Sequence, residues 1–218
     1  MKKRPVIAIT LFLVLSTVTS QLKIKFPNFN LKKIHVENNL LLEEKVIKKL
    51  LVPIYNQNLL FLGNKKIQNL LIQNEFIESF NVRKKYPDTL LVKIFEKKLI
   101  AILVYKKRKY YVSDKAKLVK FIKLQKYKDL PYVFGDQDNF RLFYKSLKKI
   151  NFPLPIITKY TLYESNRWDI ETIDKEIIKL PKKKYNKSLR NYLSLRKKNN
   201  FKKFKIYDYR IEGQLILK

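Results

Sequence analysis

Phe80-Asn-Val-Arg-Lys-Lys-Tyr-Pro-Asp-Thr-Leu-Leu-Val-Lys-Ile-Phe-Glu-Lys97 is the stretch that decides the fold of the first module. Tyr86-Pro87-Asp88 is a hairpin turn signal, flanked by a strand over about Ile77 to Lys84 and another over Thr89 to Lys97. In the second strand Leu90, Val92 and Ile94 share one face, and Leu91, Lys93 and Phe95 the other. Upstream, Leu42, Val46, Ile47, Leu50 and Leu51 recur at helical spacing, with Glu43 and Glu44 in the first turn and Lys48 and Lys49 in the last. Pro53 ends that helix, and a second one starts near Asn64 with Ile67, Leu70 and Leu71 facing inward. Leu31 to Val36 is a short strand, and Glu37-Asn38-Asn39 is its turn, since Asn tolerates the left-handed conformation. The order is β-α-α-β-β.

That order, with the string at 80–97, resembles a POTRA domain, and more narrowly the POTRA domain of the bacterial cell-division family FtsQ/DivIB. The family shows V-x-R-x-x-P, then T-L-x-I, then an acidic-basic pair and P-x-A. Val82, Arg83, Pro87, Thr89, Leu90, Glu96, Lys97 and Ala101 fit that pattern. Three departures touch local turns: the Arg83–Pro87 spacing is one residue longer, Leu99 stands where the family has proline, and Asn38 where it has glycine.

Residues 98–218 read as a second module. Leu99 to Tyr105 and Tyr110 to Val112 form a hairpin around Lys106-Lys107-Arg108-Lys109. This tip is read as a solvated turn, although its interleaved aromatics would also suit a single-stranded nucleic-acid platform. Strands over Leu118 to Leu124 and Leu130 to Gly135 lead to a helix over Asn139 to Ile150, whose Phe140, Phe143, Tyr144, Leu147 and Ile150 stripe is core. A hairpin of Lys159 to Glu164 and Trp168 to Ile173, a strand at Ile177 to Leu180 and a basic helix over Tyr185 to Arg196 follow. Two short strands around Glu212-Gly213 end the sequence. Arg167-Trp168-Asp169-Ile170 with Asp174-Lys175-Glu176-Ile177-Ile178-Lys179-Leu180-Pro181 resembles the family's R-W-D-L … D-G-x-x-I-x-L-P. Lys175 stands at the turn glycine, so a looser turn is expected there. Arg-Trp-Asp reads as structural, with the indole packed and Arg paired to Asp. Asp208 and Arg210 match the family's C-terminal I-D-L-R.

Behind Met1-Lys2-Lys3-Arg4, no charge lies between Pro5 and Leu22. Such a run is about 27 Å of helix, close to the roughly 30 Å of a bilayer core. It is taken as an uncleaved transmembrane anchor. The short apolar heart from Val6 to Leu15 and the small residues Thr17, Val18, Thr19 and Ser20 also describe a cleaved signal peptide. Either way the bulk of the chain lies outside the cytoplasm. The expected fold class is α+β: a four-residue cytoplasmic tail, a transmembrane helix at 5–22, a linker at 23–29, the POTRA domain at 30–97, then a mainly antiparallel β domain with a few helices at 98–218.

Composition removes most enzymes. The 218 residues hold no Cys, one His (His35) and three Gly, so zinc-thiolate sites, thiol nucleophiles and Gly-rich phosphate loops are out, and His-based catalysis is a poor prospect. No catalytic set, metal site or cofactor site is expected. The net charge of +31 rests on 41 Lys and only 8 Arg. Lys and Asn abundance with scarce Ala is what drift in an A+T-rich genome produces, and base readout favours Arg.

The family resemblance implies a non-catalytic scaffold at the division septum of the bacterial inner membrane, single-pass and mostly periplasmic, regulating septal peptidoglycan synthesis. It implies pairing of the C-terminal β region with small division proteins resembling FtsB and FtsL. A sheet ending in the C-terminal strand exposes an edge, so the expected partner-binding residues are Tyr209, Arg210, Ile211, Glu212, Gly213, Gln214, Leu215 and Ile216. The lipid bilayer is the other partner, through residues 5–22, and no nucleic acid is expected. The competing readings are a POTRA-bearing envelope assembly or secretion protein and a basic nucleic-acid-binding protein.

Overall fold

In the computed structural model, residues 3–17, 28–201 and 203–218 are described. The fold is α+β with two sheets, one of three strands and one of nine. Among the described residues, compactness groups 3–17, 28–38, 43–71 and 81–93 in one unit and 39–42, 72–80, 94–201 and 203–218 in another.

The three-stranded sheet has β1 (Lys33–Glu37), β2 (Ile77–Lys85) and β3 (Thr89–Glu96) in the order β1-β3-β2. β1 runs parallel to β3, pairing Lys33 with Thr89 through Glu37 with Lys93. A parallel pair needs a crossover, and α2 (Glu44–Leu50) and α3 (Asn64–Leu71) lie in the connecting chain. Leu90, Val92 and Ile94 are buried on one face of β3, as the alternation predicts. Leu31, Ile34, Ile47, Leu51, Ile54, Leu59, Ile67 and Leu71 are buried as well. Val46 differs from expectation and is exposed, because the helix begins only at Glu44 and turns Ile47 and Leu51, one helical repeat apart, inward. Asn38 does adopt the left-handed conformation, with φ 61°.

In the other unit the Glu96 carboxylate accepts hydrogen bonds from the Leu41 and Leu42 N–H groups at 2.7–2.9 Å. The acidic half of the Glu96-Lys97 pair thus holds the turn at 39–42.

The nine-stranded sheet comprises β4 (Leu99–Tyr105), β5 (Arg108–Ser113), β6 (Leu118–Lys120), β7 (Tyr132–Phe134), β8 (Ile157–Leu162), β9 (Trp168–Thr172), β10 (Ile177–Lys179), β11 (Ile206–Asp208) and β12 (Ile216–Leu217). Their order is β12-β11-β10-β9-β8-β7-β4-β5-β6. Five neighbour pairs are antiparallel and three, β4–β7, β7–β8 and β10–β11, are parallel. The sheet is therefore mixed. Each of the connections β7–β8 and β10–β11 contains a helix, α4 (Gln137–Lys149) and α5 (Tyr185–Arg196) respectively. β6 is shorter than the expected Leu118–Leu124 strand, since a 3₁₀ turn follows at Gln125–Tyr127. The core joins Phe140, Phe143 and Leu147 of α4 and Leu189 and Tyr192 of α5 to Trp168, Ile170, Ile178 and Tyr207 of the sheet.

The expected anchor at 5–22 falls only partly within the described residues. α1 spans Lys3–Thr17, 15 residues or about 22 Å, and no helix among the described residues is long and apolar enough to cross a membrane. The distal part of the expected span, 18–22, most of the linker, 23–27, and residues 1 and 2 lie outside the described residues. Val6, Ile7, Ile9, Leu11, Phe12, Leu13 and Val14 of α1 are exposed.

Candidate functional site

The C-terminal strands form one end of the nine-stranded sheet. β10 and β11 align Lys179 with Asp208, and β9 and β10 align Asp169 with Lys179. Asp169, Lys179 and Asp208 thus make a charge-alternating row across three strands. Arg167 Nε meets Asp169 at 3.2 Å, and Arg210 grips Asp208 with two nitrogens at 2.7–2.9 Å. The two buried aspartates respond oppositely. Burial raises the Asp169 pKa, with Arg167 working against it. The Arg210 hydrogen bonds hold the Asp208 pKa below its ordinary value, against a smaller burial effect.

Trp168 is buried and stacks on Phe143 at 4.8 Å with 5° between planes. The Arg-Trp-Asp run is thus structural, as read from the sequence. Gly135 was not singled out there, yet a Cβ on it would sit 2.9 Å from Leu162 Cβ and 3.4 Å from the Trp168 ring. The glycine lets the chain pass under the indole.

The turn holding Lys175 is tight, not loose. Thr172 N–H bonds Glu176 O and Lys175 N–H bonds Thr172 O, both at 3.0 Å, and Lys175 takes φ 59°. The three-residue loops at 114–116 and 164–166 repeat this design, with Ala116 and Asn166 left-handed. Lysine simply occupies the position that the loop geometry imposes.

Behind this turn is a buried polar network with no local sequence signal. The Tyr192 hydroxyl donates to Glu176, Arg196 Nε lies 3.5 Å from the same carboxylate, and Arg196 also pairs with Asp174. Burial and the Glu176 contact both push the Tyr192 pKa up. Phe152 stacks on Tyr192 at 6.2 Å, and Tyr207 meets it edge-on at 4.9 Å. The network ties α5 to the β9–β10 turn.

The eight predicted contact residues separate into distinct roles. Tyr209 is a core residue: it is buried, its N–H bonds Lys179 O at 2.8 Å, and its hydroxyl donates to Asn191 Oδ1 at 2.9 Å. Little of its side chain is exposed, although it lines the groove beside α5. Arg210 is half-exposed over Asp208. Ile211 is exposed, Glu212 pairs with Lys184, and Gly213 has φ 80° in a turn closed by Gln214 N–H to Ile211 O at 3.2 Å. Leu215 packs partly against the core, and Ile216 opens β12 with 41% exposure. Between this loop and α5 runs a groove of about 430 Å³ lined by Lys183, Lys187, Tyr209, Ile211 and Leu215 among others.

The two sheet edges differ. At the β6 edge, Lys120 N–H is taken by Glu75 Oε2 at 2.7 Å. At the β12 edge, Lys218 and Ile206 exchange both backbone hydrogen bonds, at 2.9 and 3.1 Å. The next pair, Tyr207–Leu217, is then non-hydrogen-bonded, and Leu217 points its N–H and C=O away from β11. No group of three or more potential metal-ligating side chains occurs among the described residues.

The family profile described as POTRA domain, FtsQ-type, matches residues 29–97. Cell division protein FtsQ of Rickettsia conorii is 25% identical over 187 residues, covering 84% of this chain and 69% of that protein. Residues 29–97 thus match an FtsQ-type POTRA domain, and most of the chain is similar to FtsQ. FtsQ of Rickettsia typhi is 26% identical over 175 residues, covering 79% of this chain and 65% of that one. This chain thus spans about two thirds of the length of its FtsQ relatives. The extracytoplasmic domain of the cell-division protein DivIB from Geobacillus stearothermophilus is 14% identical, covers 46% of this chain and 91% of its own, and superposes with a TM-score of 0.33.

Proposed function

We propose that this chain is a cell-division protein of FtsQ/DivIB type, a non-catalytic, membrane-tethered scaffold that holds partner proteins by strand addition at β12. Residues 5–22 act as the tether, 30–97 as the POTRA domain and 98–218 as the partner-binding domain. The partners are small division proteins resembling FtsB and FtsL, and the outcome is control of septal peptidoglycan synthesis on the periplasmic side of the inner membrane. The observation that carries this is the pairing of an FtsQ-type POTRA match at 29–97 with a sheet whose β12 edge has an outward-facing Leu217 backbone. An added strand gains main-chain hydrogen bonds there, and Ile216 and Arg210 give it side-chain contacts.

Leu217→Pro removes the outward N–H while leaving the β11 hydrogen bonds in place, as proline at an edge allows. Co-purification of an FtsB-like partner is expected to fall at least tenfold with Leu217→Pro, while the circular dichroism spectrum is unchanged. Unaltered co-purification would sink the strand-addition reading. A fluorescent fusion of the whole chain is expected to form a mid-cell band in dividing cells; a nucleoid-wide signal would overturn the division role itself.

A further inference from the structure

The β4–β5 hairpin closes through a two-residue turn, with Tyr105 paired to Arg108 and with Lys106 and Lys107 both left-handed, at φ 47° and 62°. Positive φ at both central residues defines a type I′ turn, whose favoured residues are Asn-Gly. Lysine in this conformation costs about 1 kcal/mol per residue. Nine non-glycine residues among those described carry positive φ. Asn fills four of them (38, 56, 151, 166), Lys four (106, 107, 175, 184) and Ala one (116). Drift toward A+T-rich codons enriches Asn and Lys alike, and their codons differ only in the third base. Asn and Lys fill these positions equally often, but among the described residues only this tip sets two left-handed lysines side by side.

The tip keeps its charge and forgoes the relaxed turn. Residues 105–109 are all exposed, and none of Lys106, Lys107, Arg108 and Lys109 forms an ion pair among the described residues. Nine basic side chains elsewhere sit on a carboxylate, and the tip is set apart by four consecutive basic residues with no such pair. Tyr105, 45% exposed, lies beside the turn with Lys106 Nζ 5.4 Å from its ring centre. Tyrosine and lysine side by side suit a bilayer interface, with the ring at headgroup level and the ammonium among phosphates. A two-residue hairpin tip has no groove to track a polymer strand, whereas a flat array of anionic headgroups meets Lys106, Lys107 and Arg108 together; Lys109 Nζ lies over the Tyr132 and Phe121 rings, at 5.3 and 5.6 Å. The apolar surface of α1 in the same chain also calls for a membrane setting.

We infer that Lys106, Lys107 and Arg108 form a contact for anionic phospholipid headgroups. Each basic side chain near such a surface contributes about 1 kcal/mol, so removing two is a roughly thirtyfold change. The test uses the full chain and phosphatidylcholine vesicles with and without phosphatidylglycerol. The readout is the gain in affinity on adding the anionic lipid, which cancels whatever α1 contributes to both. Lys106→Asn/Lys107→Gly installs the favoured turn. It is expected to raise Tm by about 2–6 °C and to cut the phosphatidylglycerol-dependent gain roughly thirtyfold. Lys148→Gln/Lys149→Gln, an equal charge loss on α4, is expected to leave the gain nearly intact. An unchanged gain in the tip variant overturns the inference, as does an equal loss in the α4 variant. So does a tip variant that loses affinity for a single-stranded DNA probe while keeping its phosphatidylglycerol-dependent gain.

Discussion

At the residue scale the structure turns on side chains held in unusual places. Lys175 sits in a left-handed position that the β9–β10 loop requires. Lys175→Gly removes a steric cost of about 1 kcal/mol and adds some unfolded-state entropy, for a net stabilisation of about 0.5 kcal/mol. It should appear as a slightly higher urea midpoint with unchanged slope. Gly135→Ala works the other way. Its new Cβ meets Leu162 Cβ, a backbone-anchored atom, at 2.9 Å, and a loss of about 1–3 kcal/mol is expected in the same assay. Asp208 and Asp169 oppose each other in pH dependence. The Asp208 pKa is lowered by Arg210, so its stabilisation is whole above an unfolded value of about 3.9 and is lost as pH falls through the folded one. The stability gap between wild type and Asp208→Asn is therefore expected to be largest near pH 6 and to narrow as pH falls below the ordinary carboxylate range, measured as urea midpoints. The Asp169 pKa is raised by burial, so its favourable share is present at low pH and lost as pH rises through the folded value. Asp169→Asn accordingly costs less at pH 6 than Asp208→Asn. Sequence showed the Arg-Asp pairing at 167/169, but the Arg210–Asp208 pair came from the structure, and the opposite pKa directions arise because burial dominates at Asp169 and the Arg210 hydrogen bonds at Asp208.

At the element scale, α5 is held by what it buries. Leu189 and Tyr192 face the sheet, and the Tyr192 hydroxyl satisfies the buried Glu176 carboxylate. Tyr192→Phe keeps the ring against Phe152 and Tyr207 but leaves that carboxylate one donor short. A cost of about 1–3 kcal/mol is expected, read as a lower thermal midpoint with an unchanged near-ultraviolet aromatic signature. Helical periodicity located α5 at Tyr185–Arg196 and α4 near its true bounds, because apolar spacing and end charges are local properties. The Glu176–Tyr192–Arg196 network escaped such reading, since its members come from a turn and a helix joined only by the fold. The candidate contact segment shows the same limit. Residues 209–216 do lie beside the sheet's C-terminal edge, but only Ile216 belongs to its strand, and Tyr209 points inward.

At the scale of the whole molecule, 49 basic residues face 18 acidic ones. Such an excess repels itself in the compact state, and salt screens it over about 10 Å at 0.1 M. The thermal midpoint of the full chain is expected to rise by a few degrees between about 10 and 150 mM salt; a fall would mean that the ion pairs outweigh the repulsion. The sequence by itself determined the α+β class, the β-α-α-β-β order at the start, the helix positions and the likeness to FtsQ/DivIB, all carried by short-range periodicity and turn chemistry. Tertiary structure alone decided that β10 and β11 run parallel with α5 between them, that the β6 edge is capped by Glu75, and that the Leu217 N–H and C=O point away from β11. It also decided that Lys175 would adopt the left-handed turn. Strand neighbours and edge exposure depend on contacts between residues far apart in the chain, and no local pattern of side chains encodes which of two equally apolar strands will lie alongside a third.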